Sequence, residues 1–514
     1  MSERFVQNAL LALWCVALFA GCLILHTRHN NFPYHYHPDE PGKVEQVISG
    51  KWNFHHPMLL LSTTKLAVAI AKTPHTQQKV VEKGRLVSAI FTAVAVVSFS
   101  LLAFIWRGWP GAFTAGAVLG LHHQFYELAH YMKEDSAMLM GLALTFLAAA
   151  LYWQAPSWKR AAFLGIACAL AISGKYLGVL SLAVAAPVLW KRRCPWSTGL
   201  FFIGLVMALI LINLPLLMDL GVFEKSLGRE INFVVEGQKG MTRRVPHSQY
   251  WSVFLDNSTP AIWLLLGVFL YSRWRERFAI TPPEWAVILF PFAYALILSF
   301  SPKSNDRYFL PASALFTLLA VLGIEDSAHL LLGCVRRNVV LAAGALLLIV
   351  FQITGWSASR AGLLRYDVAF QHDDVKELIA WINETLPPTA VIAKDNRVGL
   401  PVPGKKKHAD RIARVPQKIL AAHFAADLGS ISELRAKGVT HVMVSETDYG
   451  KFFLQGLRPQ KSEAESFEQR KSFYEELFRD GELMWERERG TMIYLHPGLR
   501  VYRLRDLNRS VFTD

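Results

Sequence analysis

Two adjacent carboxylates, Asp39 and Glu40, lie in the stretch "YHYHPDEPGKVE" (34–45), among histidines, tyrosines and prolines. A carboxylate in such a stretch is suited to act as a general base on an incoming nucleophile. A solvated acidic turn rich in proline would have the same composition. The choice between a general base and a solvated turn therefore depends on which other groups share a surface with this pair.

A second acidic group, Glu134 and Asp135, occurs in "HYMKED" (130–135), where another apolar run begins. Carboxylates at that position could instead cap a helix N-terminus and interact with its dipole. Cations occur in "SGKY" and in "SPKSNDRYFLP" (301–311). Arginine and lysine can bind a phosphate, although a lysine at an interface can also simply extend towards water.

Long apolar runs must position these groups. Hydrophobic residues make up 53% of the 514 residues, with 32 Phe and 15 Trp. The runs have about the length needed to cross a hydrocarbon core of about 30 Å. We predict a polytopic α-helical membrane protein of about 11 spans, the first of which is retained rather than cleaved. The runs lie near 8–25, 86–105, 111–128, 136–153, 161–173, 176–190, 198–218, 260–271, 284–300, 309–323 and 339–355.

Basic clusters orient the spans. They fall in alternate short loops, and such residues collect on the cytoplasmic side of a membrane. A cytoplasmic N-terminus places every cluster there, and the candidate carboxylates and cations then share the outer face. The clusters are Arg107, Lys159-Arg160, residues 191–193, residues 273–277 and Arg336-Arg337.

This orientation also explains the net charge of +14, so we expect no nucleic-acid partner. The five cysteines show neither metal-ligand spacing nor a disulfide framework.

Two domains are predicted, a transmembrane domain over 1–357 and an extracytoplasmic α/β domain over 358–514. The first has outer-face loops at 26–84 and 219–259, and we expect an interfacial helix over 62–84. In the second, strands and helices alternate, with helices near 373–386 and 463–480. The loop 219–259 carries Arg243, Arg244 and His247, which cover the donor as a lid, contact the acceptor or form a solvated basic loop.

Five short motifs occur in order on the predicted outer face: "HPDE", "HHPMLL" (55–60), "KED", "SGKY" and "DRYFLP". Their order and sidedness resemble the GT-C superfamily of polyprenyl-phosphate-sugar-dependent glycosyltransferases. The similarity is to the group containing protein O-mannosyltransferases and aminoarabinose transferases, and it covers about residues 1–355. It implies a GT-C-like fold, a polyprenyl-phosphate-linked sugar donor, and a lipid, glycan or protein acceptor.

The resemblance also implies roles for individual residues. Asp39 and Asp135 would be catalytic, and Glu40, Glu134 and His56 would support them. Some members use a divalent metal, so Glu40 and Asp135 stand as candidate ligands, which the sequence does not decide. The donor phosphate would contact Lys175, Lys303, Arg307, Tyr308 and Arg85.

The resulting hypothesis is a single displacement at the sugar's anomeric carbon, which inverts its configuration. Two alternatives stay open: a transporter or flippase for a lipid-linked anionic glycan, and a non-catalytic scaffold. The sequence shows no internal repeat of the kind common in transporters. We expect an integral protein of the bacterial inner membrane, with a periplasmic C-terminal domain.

Overall fold

The computed structural model describes residues 3–192, 196–236, 255, 258–275, 280–300, 306–331, 337–357, 360–400, 415–454, 459 and 463–504. Its contacts divide the chain into a membrane unit, mainly residues 1–364, and a C-terminal unit, mainly residues 365–514.

The membrane unit is helical. Its described helices are α1 (Glu3–Thr27), α2 (Glu40–Ser49), α3 (Leu59–Ile70), α4 (Gln77–Gly120), α5 (His123–Ala129), α6 (Glu134–Gln154), α7 (Trp158–Gly174), α8 (Ser181–Lys191), α9 (Ser197–Ile212), α10 (Leu214–Met218), α11 (Leu220–Glu236), α12 (Pro260–Arg275), α13 (Pro282–Ser299), α14 (Leu310–Leu331) and α15 (Arg337–Thr354). Short 3₁₀ helices cover Tyr176–Leu180 and Asp306–Phe309, and a two-stranded ribbon pairs β1 (Gly355–Ser357) with β2 (Arg360–Ala361).

The chain is a polytopic membrane protein with an apolar helical core. Among the described residues, five helices are long and apolar enough to cross a membrane: α1, α4, α6, α13 and the segment Arg307–Ser327. Four shorter apolar helices accompany them. Helix α6 is buried along most of its length, whereas α1 is largely exposed, as expected for a helix that faces lipid. The count of about 11 spans stays a prediction.

Helix α4 combines what the sequence predicts as two apolar runs. It bends where Gly108 has φ 62° and ψ −152°, and Pro110 follows two residues later. Proline removes a helical hydrogen bond, and glycine tolerates the positive φ, so both residues favour a break here. The second run then ends at Gly120, well before residue 128.

The single interfacial helix expected over 62–84 is wrong. The segment is divided between α3 and the start of α4, joined by a turn in which Lys72 has φ 47°. Pro74 disfavours helical geometry in the residue before it. The Thr76 side chain then accepts a hydrogen bond from the Lys79 backbone and caps α4.

The C-terminal unit contains a five-stranded sheet of order β4-β3-β5-β7-β6. Strands β4, β3 and β5 are parallel, while β7 pairs antiparallel with β5 and β6. The predicted helices near 373–386 and 463–480 are present as α17 and α20. The described elements are α16 (Leu363–Ala369), α17 (Asp374–Thr385), β3 (Val391–Lys394), β4 (Lys418–Ala421), α18 (Ile431–Ala436), β5 (His441–Ser445), α19 (Glu446–Tyr449), α20 (Ala464–Asp480), β6 (Glu482–Arg489) and β7 (Pro497–Arg503).

Candidate active site

A fully buried ion pair holds the first loop of the membrane unit in place. The Arg85 guanidinium donates from Nε and Nη2 to the two carboxylate oxygens of Glu40, at 3.0 and 2.5 Å. It also donates from Nη1 to the carbonyls of Asn30 and Phe32. Glu40 in turn accepts a hydrogen bond from the Met132 backbone nitrogen. The pair therefore joins the loop before α2, helix α4 and the segment before α6.

Arg85 and Glu40 thus use their polar atoms on one another and on the backbone, and neither side chain is exposed. This geometry favours a structural role for both residues. It speaks against the predicted contact of Arg85 with the donor phosphate and against Glu40 as a metal ligand.

Asp39 differs sharply from its neighbour. It precedes the first turn of α2, and 45% of its side chain is exposed. Its Oδ2 accepts a hydrogen bond from the ammonium of Lys133, whose own side chain is only 3% exposed, and lies 3.8 Å from Arg307 Nη2. Asp39 is therefore an accessible carboxylate that rests on a buried cation.

The start of α6 supplies two further carboxylates. Glu134 and Asp135 lie in its first turn, where the helix dipole favours negative charge. Glu134 Oε2 accepts a hydrogen bond from Lys43 Nζ at 2.6 Å and lies 4.0 Å from His56 Nε2. Because Glu134 and Asp135 point to different cations, they belong to different parts of the site.

Asp135 pairs with the cation at the end of α7. Lys175 donates from Nζ to Asp135 Oδ1 at 2.7 Å. A glycine at 174 makes this possible, since a Cβ there would collide with the Met138 backbone nitrogen in α6. Close approach of α6 and α7 thus places Lys175 against Asp135.

Arg307 joins the two halves of the site. It lies in the 3₁₀ turn before α14, and its Nε is 3.8 Å from Asp135 Oδ2. The ring of Tyr308 lies beneath both cations, 4.3 Å from Lys175 Nζ and 5.5 Å from the Arg307 guanidinium carbon. Arg307, Lys175 and Tyr308 therefore meet at one place, and their contact with a phosphate stays a prediction.

We call the ion-paired residues the site cluster: Asp39, Lys43, Lys133, Glu134, Asp135, Lys175 and Arg307. Within it, four basic side chains face three carboxylates. Counted over the described residues, one more anion would balance the charge. Arg307, at 22% exposure, and Asp39 are its most exposed members.

The cluster shifts the pKa values of groups outside the spans. Burial would raise the pKa of Asp39, but Lys133, Lys43 and Arg307 hold it well below its usual range. Burial, together with Lys43 and Arg307, lowers the pKa of Lys133 to about 7, with Asp39 and Glu134 opposing. Burial also lowers the pKa of His56 to about 4, so its imidazole is neutral near pH 7.

The donor set does not fit a divalent metal. No three His, Cys, Asp or Glu side chains come together as ligands in the part of the chain that the structure describes. Of the predicted ligands, Glu40 is saturated by Arg85, and Asp135 is paired with Lys175 and approached by Arg307. A cation would have to displace these basic side chains, so no step here is derived through a metal.

Some predicted residues lie outside the described part of the chain: Lys303, Arg243, Arg244 and His247. Two cluster members were absent from the predicted site, Lys43 and Lys133. Lys43 lies three residues after Glu40, on the same buried face of α2. A basic residue on the predicted outer face, against the usual charge bias, was the available signal for both.

The sequence matches a known family over part of its length. Residues 55–218 match the family described as dolichyl-phosphate-mannose-protein mannosyltransferase. The match is shorter than half of the chain, and it includes Lys133, Asp135 and Lys175 but not Asp39 or Arg307. No curated protein matches the chain.

Two solved structures share the fold. The crystal structure of ArnT from Cupriavidus metallidurans bound to undecaprenyl phosphate has a TM-score of 0.51 and 14% identity, covering 95% of this chain and 97% of that one. Its apo state gives 0.51 and 13%, covering 96% and 98%. At this identity the likeness shows the fold, and the family match falls on the helices that carry most of the site cluster.

The chain thus resembles GT-C glycosyltransferases in fold, and residues 55–218 match a mannosyltransferase family. In this fold, the order of motifs noted in the sequence has a structural basis. The loop before α2, the start of α6, the end of α7 and the turn before α14 all meet at the site cluster.

Proposed function

We propose that this protein is a GT-C glycosyltransferase, which transfers a sugar from a polyprenyl-phosphate-linked donor to an acceptor on the outer face of the membrane, with inversion of the anomeric configuration. The acceptor would be a lipid, glycan or protein that offers a hydroxyl or an amine. The undecaprenyl phosphate bound to the ArnT of similar fold supports this class of donor.

The carrying observation is the position of Arg307. Its guanidinium lies 3.8 Å from Asp39 and 3.8 Å from Asp135, and Lys175 holds the other oxygen of Asp135. A phosphate bound by Arg307 and Lys175 would therefore lie beside the accessible carboxylate. Binding and proton transfer would take place within one cluster.

The chemistry follows from the charges. Asp39 is ionised at neutral pH but is a weak base, because cations hold its pKa low. A donor phosphate that draws Arg307 towards itself would reduce this effect and strengthen the base.

Asp39 would then take the proton of the acceptor as the new bond to the anomeric carbon forms on the face opposite the phosphate. The bond from that carbon to the phosphate oxygen breaks, and its electron pair leaves on the oxygen, which Arg307 and Lys175 stabilise. The acceptor's oxygen or nitrogen thus replaces the phosphate oxygen.

The test is Asp39→Asn in the full-length protein, assayed in cell membranes that supply the acceptor, with a panel of undecaprenyl-phosphate-linked hexoses and pentoses. Mass spectrometry follows loss of the donor and appearance of free undecaprenyl phosphate. We expect transfer to fall by about 100-fold or more, the range for loss of a general base. Glu45→Gln makes the matching change at an exposed carboxylate of α2 and should have no effect. Full activity of Asp39→Asn would refute the assignment of the base.

The same experiment separates the alternatives. A transporter or flippase would move the intact lipid-linked sugar between leaflets without producing free undecaprenyl phosphate. A scaffold would do neither, and its function would survive Asp39→Asn, Asp135→Asn and Arg307→Met.

A further inference from the structure

The C-terminal unit has a sheet edge of its own that the transfer reaction does not use. Strand β3 lies between β4 and β5, and all three are parallel. The chain therefore passes from the middle strand to one neighbour and then across to the other. In open α/β sheets, this reversal leaves a crevice at the carboxyl ends of the strands, where ligands bind. The segments after β3 and β5 flank that crevice.

A buried carboxylate ties the crevice together. Asp395, directly after β3, has no exposed surface. It accepts hydrogen bonds from the backbone nitrogens of Ala425 and Ser445, after β4 and at the end of β5, and from the Tyr474 hydroxyl. Burial and the nearby Asp448 raise its pKa to about 7. Asp395 thus fixes the ends of all three parallel strands.

A second carboxylate, Asp448, links the two flanking segments. It accepts a hydrogen bond from the Arg397 backbone nitrogen at 2.8 Å, and its Oδ1 lies 3.4 Å from Arg397 Nε. Asp448 is buried, whereas about a third of the Arg397 side chain is exposed (35%). The guanidinium of Arg397 therefore lies at the mouth of the crevice, where the buried Asp448 holds it by an ion pair.

Lys451 and Arg470 complete a cationic rim. Lys451 Nζ lies 4.0 Å from the centroid of the Phe424 ring, and the Arg470 guanidinium carbon lies 4.8 Å from the same ring. Arg470 pairs with Asp427 at 2.7 Å. The ammonium of Lys451 has no hydrogen bond or ion pair with any described residue. Burial lowers its pKa to about 8; nearby Asp448 opposes this, and Arg397 and Arg470 add to it.

We propose that this crevice binds a phosphate group, carried by a soluble phosphorylated saccharide or by a lipid head group, at Arg397, Lys451 and Arg470. Arg397 and Arg470 each have a carboxylate partner, whereas Lys451 has none among the described residues. An anion would supply the missing partner. Arginine offers paired donors that match phosphate oxygens, and lysine adds a point charge.

A purely structural role explains less. Aromatic contact stabilises a lysine ammonium, but a partly buried ammonium without a polar partner remains costly. Burial also raises the pKa values of the nearby carboxylates Asp395 and Asp448, so their charged forms are costly as well. Buried charged groups with shifted pKa values lie here at the place where α/β sheets bind ligands. This favours a binding site over a purely structural role.

The experiment measures acylation of lysines in the full-length protein in nanodiscs by mass spectrometry, with and without ligand. The probes are inorganic phosphate, glucose 1-phosphate and phosphatidylglycerol vesicles. We expect a probe at about ten times its dissociation constant to slow labelling of Lys451 by about 10-fold. Lys418 is the matched control, because it is exposed at the opposite end of the same sheet.

The three probes distinguish the sources. Protection by glucose 1-phosphate beyond that by phosphate indicates a phosphorylated saccharide, and protection by the vesicles indicates a lipid head group. Lys451→Met should abolish binding of the protecting probe, seen as loss of its ³¹P line broadening, and Lys418→Met should not. Unprotected Lys451, or equal protection of Lys451 and Lys418, would overturn the proposal. Asp39→Asn should leave the protection unchanged, which separates this site from the transfer reaction.

Discussion

Two networks of charged side chains lie at opposite ends of helix α14. One is the site cluster, which Arg307 enters from the turn before the helix. The other, near the helix C-terminus, joins Asp326 to Arg107 at 3.1 Å and to Arg273 at 3.3 Å, with Glu325 3.5 Å from Arg107. We call it the opposite-end network. The opposite-end network connects α14 to α4 and α12, and the site cluster connects the turn before α14 to the starts of α2 and α6. Both networks combine arginines with carboxylates.

The two differ in balance and in access. Counted over the described residues, the opposite-end network has two cations and two carboxylates, all on helices and all at most about one-sixth exposed. On the same count, the site cluster has one cation more than it has carboxylates, and its members come from loops and helix ends. A network whose charges balance offers no net charge to a ligand, whereas an unbalanced and accessible one attracts an anion. Role should therefore follow charge balance and exposure rather than position.

The largest effect should come from the balanced pair beneath the site cluster. Arg85→Met leaves Glu40 buried without its partner, so the free energy of unfolding should fall by about 3–5 kcal/mol. The measurement is thermal or denaturant unfolding in detergent. The double variant Glu40→Gln/Arg85→Met, which removes the uncompensated charge, should recover much of the loss. An Arg85→Met protein of normal stability but weak donor binding would instead support the original phosphate role.

The next effect compares the two networks directly. Arg307→Met should lower kcat/KM for the donor by about 100-fold, the range for loss of one charge-stabilising donor, with little change in stability. Arg273→Met makes the same change in the opposite-end network. It should lower the midpoint of thermal unfolding while kcat/KM per folded molecule stays within a few-fold of wild type. Equal catalytic losses in both variants would show that the contrast between the networks is false.

The smallest effect concerns pH. Lys133 has a pKa of about 7 because of burial and the cations Lys43 and Arg307. As the pH rises through about 7, Lys133 loses its proton and the site cluster loses its excess cation, so KM for the donor should rise several-fold between about pH 6 and about pH 9. Lys133→Arg, which stays charged, should flatten this dependence.

Stability should change in the other direction. The folded pKa of Lys133 is lower than its unfolded value of about 10.4, so between the two the unfolded chain binds more protons. The contribution of Lys133 to the free energy of unfolding therefore rises with pH over that range. A KM that is independent of pH in the wild type would show that Lys133 does not set the charge of the site.

Much of the candidate site could be predicted because its residues lie in short sequence motifs. The order of "HPDE", "KED", "SGKY" and "DRYFLP" identified Asp39, Asp135, Lys175 and Arg307, which the structure brings together. The resemblance gave Asp39 a catalytic role and Glu40 a supporting one, but the partner of each carboxylate could not be predicted, since the residues are adjacent and chemically alike. Only the fold shows that α2 turns Glu40 inward to Arg85 and leaves Asp39 at the surface.

The fold was predictable to a similar depth. Apolar runs of spanning length mark helices because the backbone must satisfy its own hydrogen bonds in a hydrocarbon core. The division of 62–84 depends on Pro74 and the Thr76 cap, which the mixed apolar and basic pattern of that segment conceals. Strands β3 and β5 follow from their apolar composition, whereas the antiparallel pairing of β5 with β7 depends on contacts distant in sequence, such as His441 with Arg503.

The sequence by itself determined that this protein is a helical membrane protein with carboxylates and cations in particular loops. The length of the apolar runs and the order of the motifs are local properties, so they can be read directly from the sequence. The tertiary structure alone decided the partners: Lys133 beneath Asp39, Arg307 between Asp39 and Asp135, and Arg85 committed to Glu40. Electrostatic interactions fall off with distance and depend on burial, so the role of each charge is set by which residues the packed helices place within a few ångströms of it.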